Sequence, residues 1–164
     1  MKITINLKQH MKMNLLESPN LYINDDEKYW SYIHQINWYK IAKNQDHILA
    51  QNNMIQTLLN LNLELEEMHD FYNWIVTKRE NLLMFIKGYL KGVPTIEKDI
   101  YLSDDTLWDL AAHIVGLGEA MYQYTMRDPS IIKLVYNDVL ENFEYPFLAA
   151  IEAMQDDTII VKNC

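Results

Sequence analysis

The sequence predicts an all-α protein: a compact bundle of six to seven helices, with one small β ribbon that the two termini could form. Three observations point there. Glycine and proline are scarce, four of each in 164 residues, whereas sandwiches and barrels need many turns built from them. Apolar residues recur at three- and four-residue spacing through most of the chain. Helix-start signals, above all Ser103–Asp104–Asp105 and Asp128–Pro129, stand in front of those stripes.

Taken in order, each element has its own reason. Ile3, Ile5 and Leu7 alternate with Lys2, Thr4 and Asn6, a period of two that predicts a short strand. The β-branched run Thr158–Ile159–Ile160–Val161 is the candidate partner strand. Pro19–Asn20 marks a loop, so 1–22 reads as an extension of a single domain spanning 1–164. Asn24–Asp25–Asp26–Glu27 has capping-box spacing and predicts a helix running to about Ala42, with Trp30, Ile33, Ile36 or Asn37, and Ile41 inward. A second helix is expected over about Gln45–Leu61, carrying Ile48, Leu49, Ile55, Leu58 and Leu59. A third opens near Leu65 with Met68, Tyr72, Ile75 and Val76; Lys78–Arg79–Glu80 interrupts its stripe as a bend or a charged turn. Leu82, Leu83, Phe85, Ile86 and Leu90 resume it, and Gly88, Gly92 and Pro94 end it.

Ser103 then caps the clearest helix, with two aspartates on its positive end and Leu107, Leu110, Ile114, Leu117 and Met121 as the buried stripe. Asp128 stops that helix and caps the next, with Pro129 at its first position. A final helix begins around Tyr145–Pro146 and carries Phe147, Leu148, Ile151 and Met154.

Ser103–Asp104–Asp105, Gly118, Tyr122, Met126 and Asp128–Pro129, in this order and spacing, resemble a bacterial family catalogued as domain of unknown function 4240. The segment from Glu27 to Ile33 is similar to that family's opening aromatic helix, the segment from Leu65 to Phe71 to its Leu-x-x-Glu-Glu-x-x-x-Phe stretch, and Tyr145 to Ala153 to its closing helix. The resemblance covers about two-thirds of the chain and implies an all-helical fold; it implies no activity. Where the family has Phe-Arg-Gly-Trp, this chain has Leu110–Ala111–Ala112–His113.

Charge and composition exclude several function classes. The formal net charge is −9, and all of it lies in residues 97–164, since residues 1–96 hold equal numbers of acids and bases. Arg79 and Arg127 are the two arginines, and no basic cluster exceeds Lys78–Arg79, which argues against nucleic-acid binding. No apolar run exceeds five residues, Phe147 to Ile151 being one of that length, far short of the ~20 residues of a membrane span. Cys164 is the single cysteine, so no disulfide scaffold is expected. The start of the chain lacks the apolar core of a secretory signal, which predicts a cytoplasmic protein.

Two constellations have ligand-like residue types. Glu66 and His69 have the Glu-x-x-His spacing of di-iron bundles, but no second copy follows, so a solvated helix face and no metal is the expectation. Asp105, Asp109 and His113 fall at i, i+4 and i+8, with Glu119 near. That spacing can seat a metal or raise the histidine pKa, and equally describes an exposed polar face with ordinary helical pairing. No cofactor is expected. Eleven tyrosines and four tryptophans suggest that some aromatics reach an interaction surface.

These features predict a small acidic interaction protein, an immunity or inhibitor protein that masks a cationic toxin being the concrete version. Asp128, Tyr136, Asp138, Glu141, Glu144 and Tyr145 are its candidate contacts with a basic protein. The alternatives are a hydrolase or metal enzyme using Asp105, Asp109, His113 and Glu119, and a regulatory or scaffold module.

Overall fold

The computed structural model describes residues 22–43, 47–92, 103–135 and 143–162. The fold is all-α, with no strand among the described residues. Helix α1 spans Tyr22–Ile36, α2 Trp38–Ala42, α3 His47–Leu59 and α4 Leu65–Lys91. They are followed by α5 over Asp104–Gly116, α6 over Glu119–Arg127, a 3₁₀ turn over Pro129–Ile131, α7 over Ile132–Val135, and α8 over Tyr145–Lys162. Six of these helices have nine or more residues.

The first expected helix is in fact two. Helix α1 already includes Asn24, so the expected capping box lies inside it. It ends at Asn37, which adopts the left-handed conformation (φ 49°) and whose Oδ1 accepts a hydrogen bond from Lys40 N at 3.4 Å. Asparagine tolerates that conformation better than other side chains because it bonds locally. In α3 the buried residues are Ala50, Met54 and Leu58, one turn apart each. Ile48 and Leu49, expected inward, are exposed.

Helix α4 runs unbroken through Lys78–Arg79–Glu80. Its buried stripe is Met68, Phe71, Ile75, Arg79, Leu82, Leu83 and Ile86, so the arginine occupies a core position rather than marking a bend. The cap of α5 is as the sequence indicates: Ser103 Oγ accepts from Thr106 N at 3.1 Å. The stripe is cut short, however. Gly118 takes φ +103°, which breaks the expected single helix into α5 and α6. Leu107, Leu110 and Ile114 are buried, while Leu117 and Met121 are half-buried around that break. Asp128 caps the 3₁₀ turn through Ser130, at 3.1 Å to its N–H and 2.6 Å to its hydroxyl. Thr158–Val161 continue α8, so no C-terminal strand exists to form the expected ribbon; a helix already nucleated overrides β propensity. The N-terminal half of the ribbon, Ile3 to Leu7, lies outside the described residues, as does Cys164.

Helix α4 packs on α5, α8 and α6, and α3 packs on α8, α2 and α1. An aromatic chain runs through the middle. Trp30 meets Trp74 edge-on at 4.7 Å, Tyr29 stacks on Phe71 at 5.3 Å, and Phe71 meets Phe147 at 5.3 Å. Phe147 then meets Phe143 at 5.6 Å, and Phe143 meets Trp38 at 5.3 Å. Offset and edge contacts of this kind add ~0.5–1.5 kcal/mol each beyond simple burial. Gly116 lies where this chain comes closest to α5: a Cβ there would stand 2.8 Å from both the Phe143 ring and Trp38 Cδ1.

Candidate partner-binding site

The centre of the site is a buried arginine. Arg79 projects from the core stripe of α4, and its guanidinium carbon lies 3.5 Å from the centroid of the Trp108 ring on α5. Its Nη1 donates to Glu144 Oε2 in a short, charge-assisted bond, and its Nη2 donates to Glu80 Oε1 at 3.3 Å. The arginine is 3% exposed and the Glu144 side chain 13%. Arg79 Nε and Glu144 Oε1 are buried without a hydrogen-bond partner among the described residues. Burial pushes the Glu144 carboxyl above its usual range, Arg79 draws it partly back, and the charges of Asp109 and Glu80 add to the upward push. The Tyr72 hydroxyl, on the same side of α4, is also pushed up by burial and by Glu144.

Above this pair opens a slot of about 190 Å³. Tyr72, Ala112 and Phe143 contribute its walls, Asp109 and Glu144 its carboxylates, and Trp108, Tyr145 and Leu148 its rim. The three rim residues are large apolar side chains left exposed, Tyr145 at 62%. Acids continue from the rim along both helices. Asp105 is exposed one turn before Asp109 on α5, and Glu152 is exposed one turn after Leu148 on α8.

The expected sites are redistributed by this geometry. Glu144 is engaged by Arg79 and mostly buried, because a buried guanidinium needs a carboxylate. Tyr145 is at the surface, and Asp128 is exposed but serves as a cap. Tyr136, Asp138 and Glu141 lie outside the described residues. Asp105, Asp109, His113 and Glu119 do not form one polar face. Asp105 points to solvent, Asp109 lines the slot, and His113 is buried at 2% exposure. There His113 Nδ1 accepts a 3.3 Å hydrogen bond from Trp38 Nε1. His113 is drawn inward because α5 is buried all round from Leu110 to Gly116. Glu119 lines a separate open cleft of about 630 Å³, with Glu27, His34 and Tyr39. No group of three or more His, Cys, Asp or Glu is placed to hold a metal among the described residues.

Sequence reasoning missed Arg79 and Trp108. The signal for Arg79 was its spacing: it sits four residues after Ile75 and four before Leu83. Trp108 presents one ring face to Arg79 and remains 43% exposed. A second ionic cluster ties α1 to α4: Asp26 accepts from Lys78 at 2.7 Å and from the Trp74 indole at 2.5 Å. Beside it Glu67 pairs with Lys28 at 2.5 Å and accepts from Tyr32 at 2.9 Å, and both partners hold its carboxyl below the usual range. No helix among the described residues is long and apolar enough to cross a membrane. No protein-family model, no curated protein and no solved structure matches the chain.

Proposed function

We propose that this is an interaction protein that docks a basic protein partner on the α5–α8 face, as an inhibitor or immunity protein docks its target. The single observation that carries the reading is the exposed trio Trp108, Tyr145 and Leu148 around one slot, with carboxylates beneath and beside it. Interface anchors are typically aromatic side chains set around a pocket, while surrounding charge steers the encounter. The charge distribution supports the same direction, since residues 97–164 carry the whole net charge of −9. Such a face repels nucleic acid and attracts cationic surfaces. We extend the proposal to kinship: the Ser103 and Asp128 caps are the features through which the chain resembles the domain-of-unknown-function family, as a diverged relative of the same fold.

The test is affinity capture from the cells that carry the protein, followed by association kinetics with the identified partner at low and high salt. A basic partner is expected, with an on-rate that falls steeply as salt rises. Trp108→Ala and Tyr145→Ala should each weaken binding by ~2 kcal/mol or more, as anchors do. An acidic partner, or association that ignores both salt and these substitutions, overturns the reading.

A further inference from the structure

We propose that the slot between Trp108, Tyr145 and Leu148 is built for one phenylalanine side chain, which the partner presents from a basic surface. The inference rests on the docking role above and names the group that the partner inserts. Size is the first argument. At about 190 Å³ the slot is smaller than the ~300–1,000 Å³ that small-molecule sites occupy. An apolar cavity of ~150 Å³ already accommodates benzene, so the slot holds one ring and little more.

Chemistry is the second. Both carboxylates in the lining are already engaged, Glu144 by Arg79 and Asp109 in an interaction of its own. An ammonium, guanidinium or hydroxyl entering the slot would give up its water and gain no new partner in return. An apolar side chain loses nothing by entering, and it covers a rim that is otherwise left in water. Tyr72 and Phe143 in the walls and Trp108 and Tyr145 on the rim put four aromatic residues around that space. Edge-on and offset ring contacts add to simple burial, which decides for phenylalanine over leucine.

Charge fixes what surrounds the ring. Asp105 on α5 and Glu152 on α8 are exposed beside the slot, and neither is in an ion pair among the described residues. Residues 97–164 also carry the whole net charge of −9. Basic side chains on either side of the phenylalanine therefore meet acids at the surface while the ring itself enters a site with no free charge. Charge steers such an encounter, and the buried ring holds it.

The test needs no partner. The full chain, ¹⁵N-labelled at its indoles, is titrated with capped pentapeptides Lys-Gly-X-Gly-Lys in which X is phenylalanine, leucine, lysine or alanine. The Trp108 indole resonance, assigned with Trp108→Phe, is the readout. The phenylalanine peptide should shift it saturably, with the Trp38 indole unmoved. It should bind about tenfold or more tightly than the alanine peptide, which one fully buried apolar side chain is enough to give. Ala112→Met, which fills the slot from its wall, should abolish that preference; if Ala112→Met fails to fold, Tyr145→Ser and Leu148→Ser decide, each lowering it. Asp105→Asn combined with Glu152→Gln should flatten the salt dependence of peptide binding and leave the preference for phenylalanine intact. Equal binding of the alanine peptide, tighter binding of the leucine or lysine peptide, or no saturable shift overturns the phenylalanine slot. Those results leave the docking reading standing if the partner still binds with salt dependence and loses affinity on Trp108→Ala. Conversely, a working slot in a chain whose partner is acidic removes the docking reading alone.

Discussion

Arg79 stands where α4 would otherwise place a leucine, and its burial makes it the most consequential single side chain described. Removing a buried ion from water costs several kcal/mol, recovered only through good pairing. Its pairing is incomplete among the described residues, where Nε and Glu144 Oε1 stay unmatched. Arg79→Ala should therefore cost about 3–5 kcal/mol, because it strands the Glu144 carboxylate inside. Pairing Arg79→Met with Glu144→Leu should cost much less than the two separate changes added together, which urea denaturation of the four species at neutral pH would show. Equal sums would mean that the two side chains act independently. A pH dependence follows from the same residue. Burial raises Glu144 in the folded chain, so folding favours its protonated form. Its contribution is fully present below the ordinary value of 4.5 and fades as pH climbs through the raised value. The stability of wild type relative to Glu144→Gln should fall across that window, measured by denaturation at a series of pH values. A flat difference would show that Arg79 offsets the burial completely.

At the scale of elements, the joints matter more than the helices. Gly116 ends α5 against the Phe143 and Trp38 rings, where a Cβ would approach to 2.8 Å. Both rings are almost fully buried, so neither can swing away. Gly116→Ala should destabilise by ~1–3 kcal/mol, read from the midpoint of thermal or urea unfolding, with the helix content unchanged. The joints were also the part of the fold least legible in the sequence. Ser103–Asp104–Asp105, Asp128–Pro129 and Tyr145–Pro146 announce helix starts through local chemistry, and the structure places helical segments there. Asn37 and Gly118 break helices through a backbone conformation that only their surroundings impose, and no apolar stripe is interrupted to reveal it. The phase of α3 was ambiguous because Ile48–Leu49 and Ala50–Met54–Leu58 offer two apolar faces, and packing against α8 selects the second. For the site, the acids were legible as residue types. The bond between Arg79 and Glu144, 65 residues apart, is a product of the fold and has no local trace. Lys78–Arg79–Glu80 read as a bend or a charged turn because charge normally marks exposed positions.

Across the whole molecule, the aromatic chain joins α1, α2, α4 and α8 into one core, and the Trp38–His113 hydrogen bond adds α5 across 75 residues of sequence. The Trp38 indole proton is thus both buried and bonded, while the Trp74 indole is bonded to Asp26 in a half-buried setting and Trp108 is at the surface. These indoles amount to three isotope clocks set at different depths. After transfer to heavy water, the Trp108 indole proton should vanish first. The Trp74 signal should follow at the pace at which α1 loosens from α4. The Trp38 signal should persist until the chain opens globally, so its lifetime reports the free energy of complete unfolding without any denaturant. Trp38 exchanging as fast as Trp108 would mean that α2 and α5 part company long before the rest of the bundle melts.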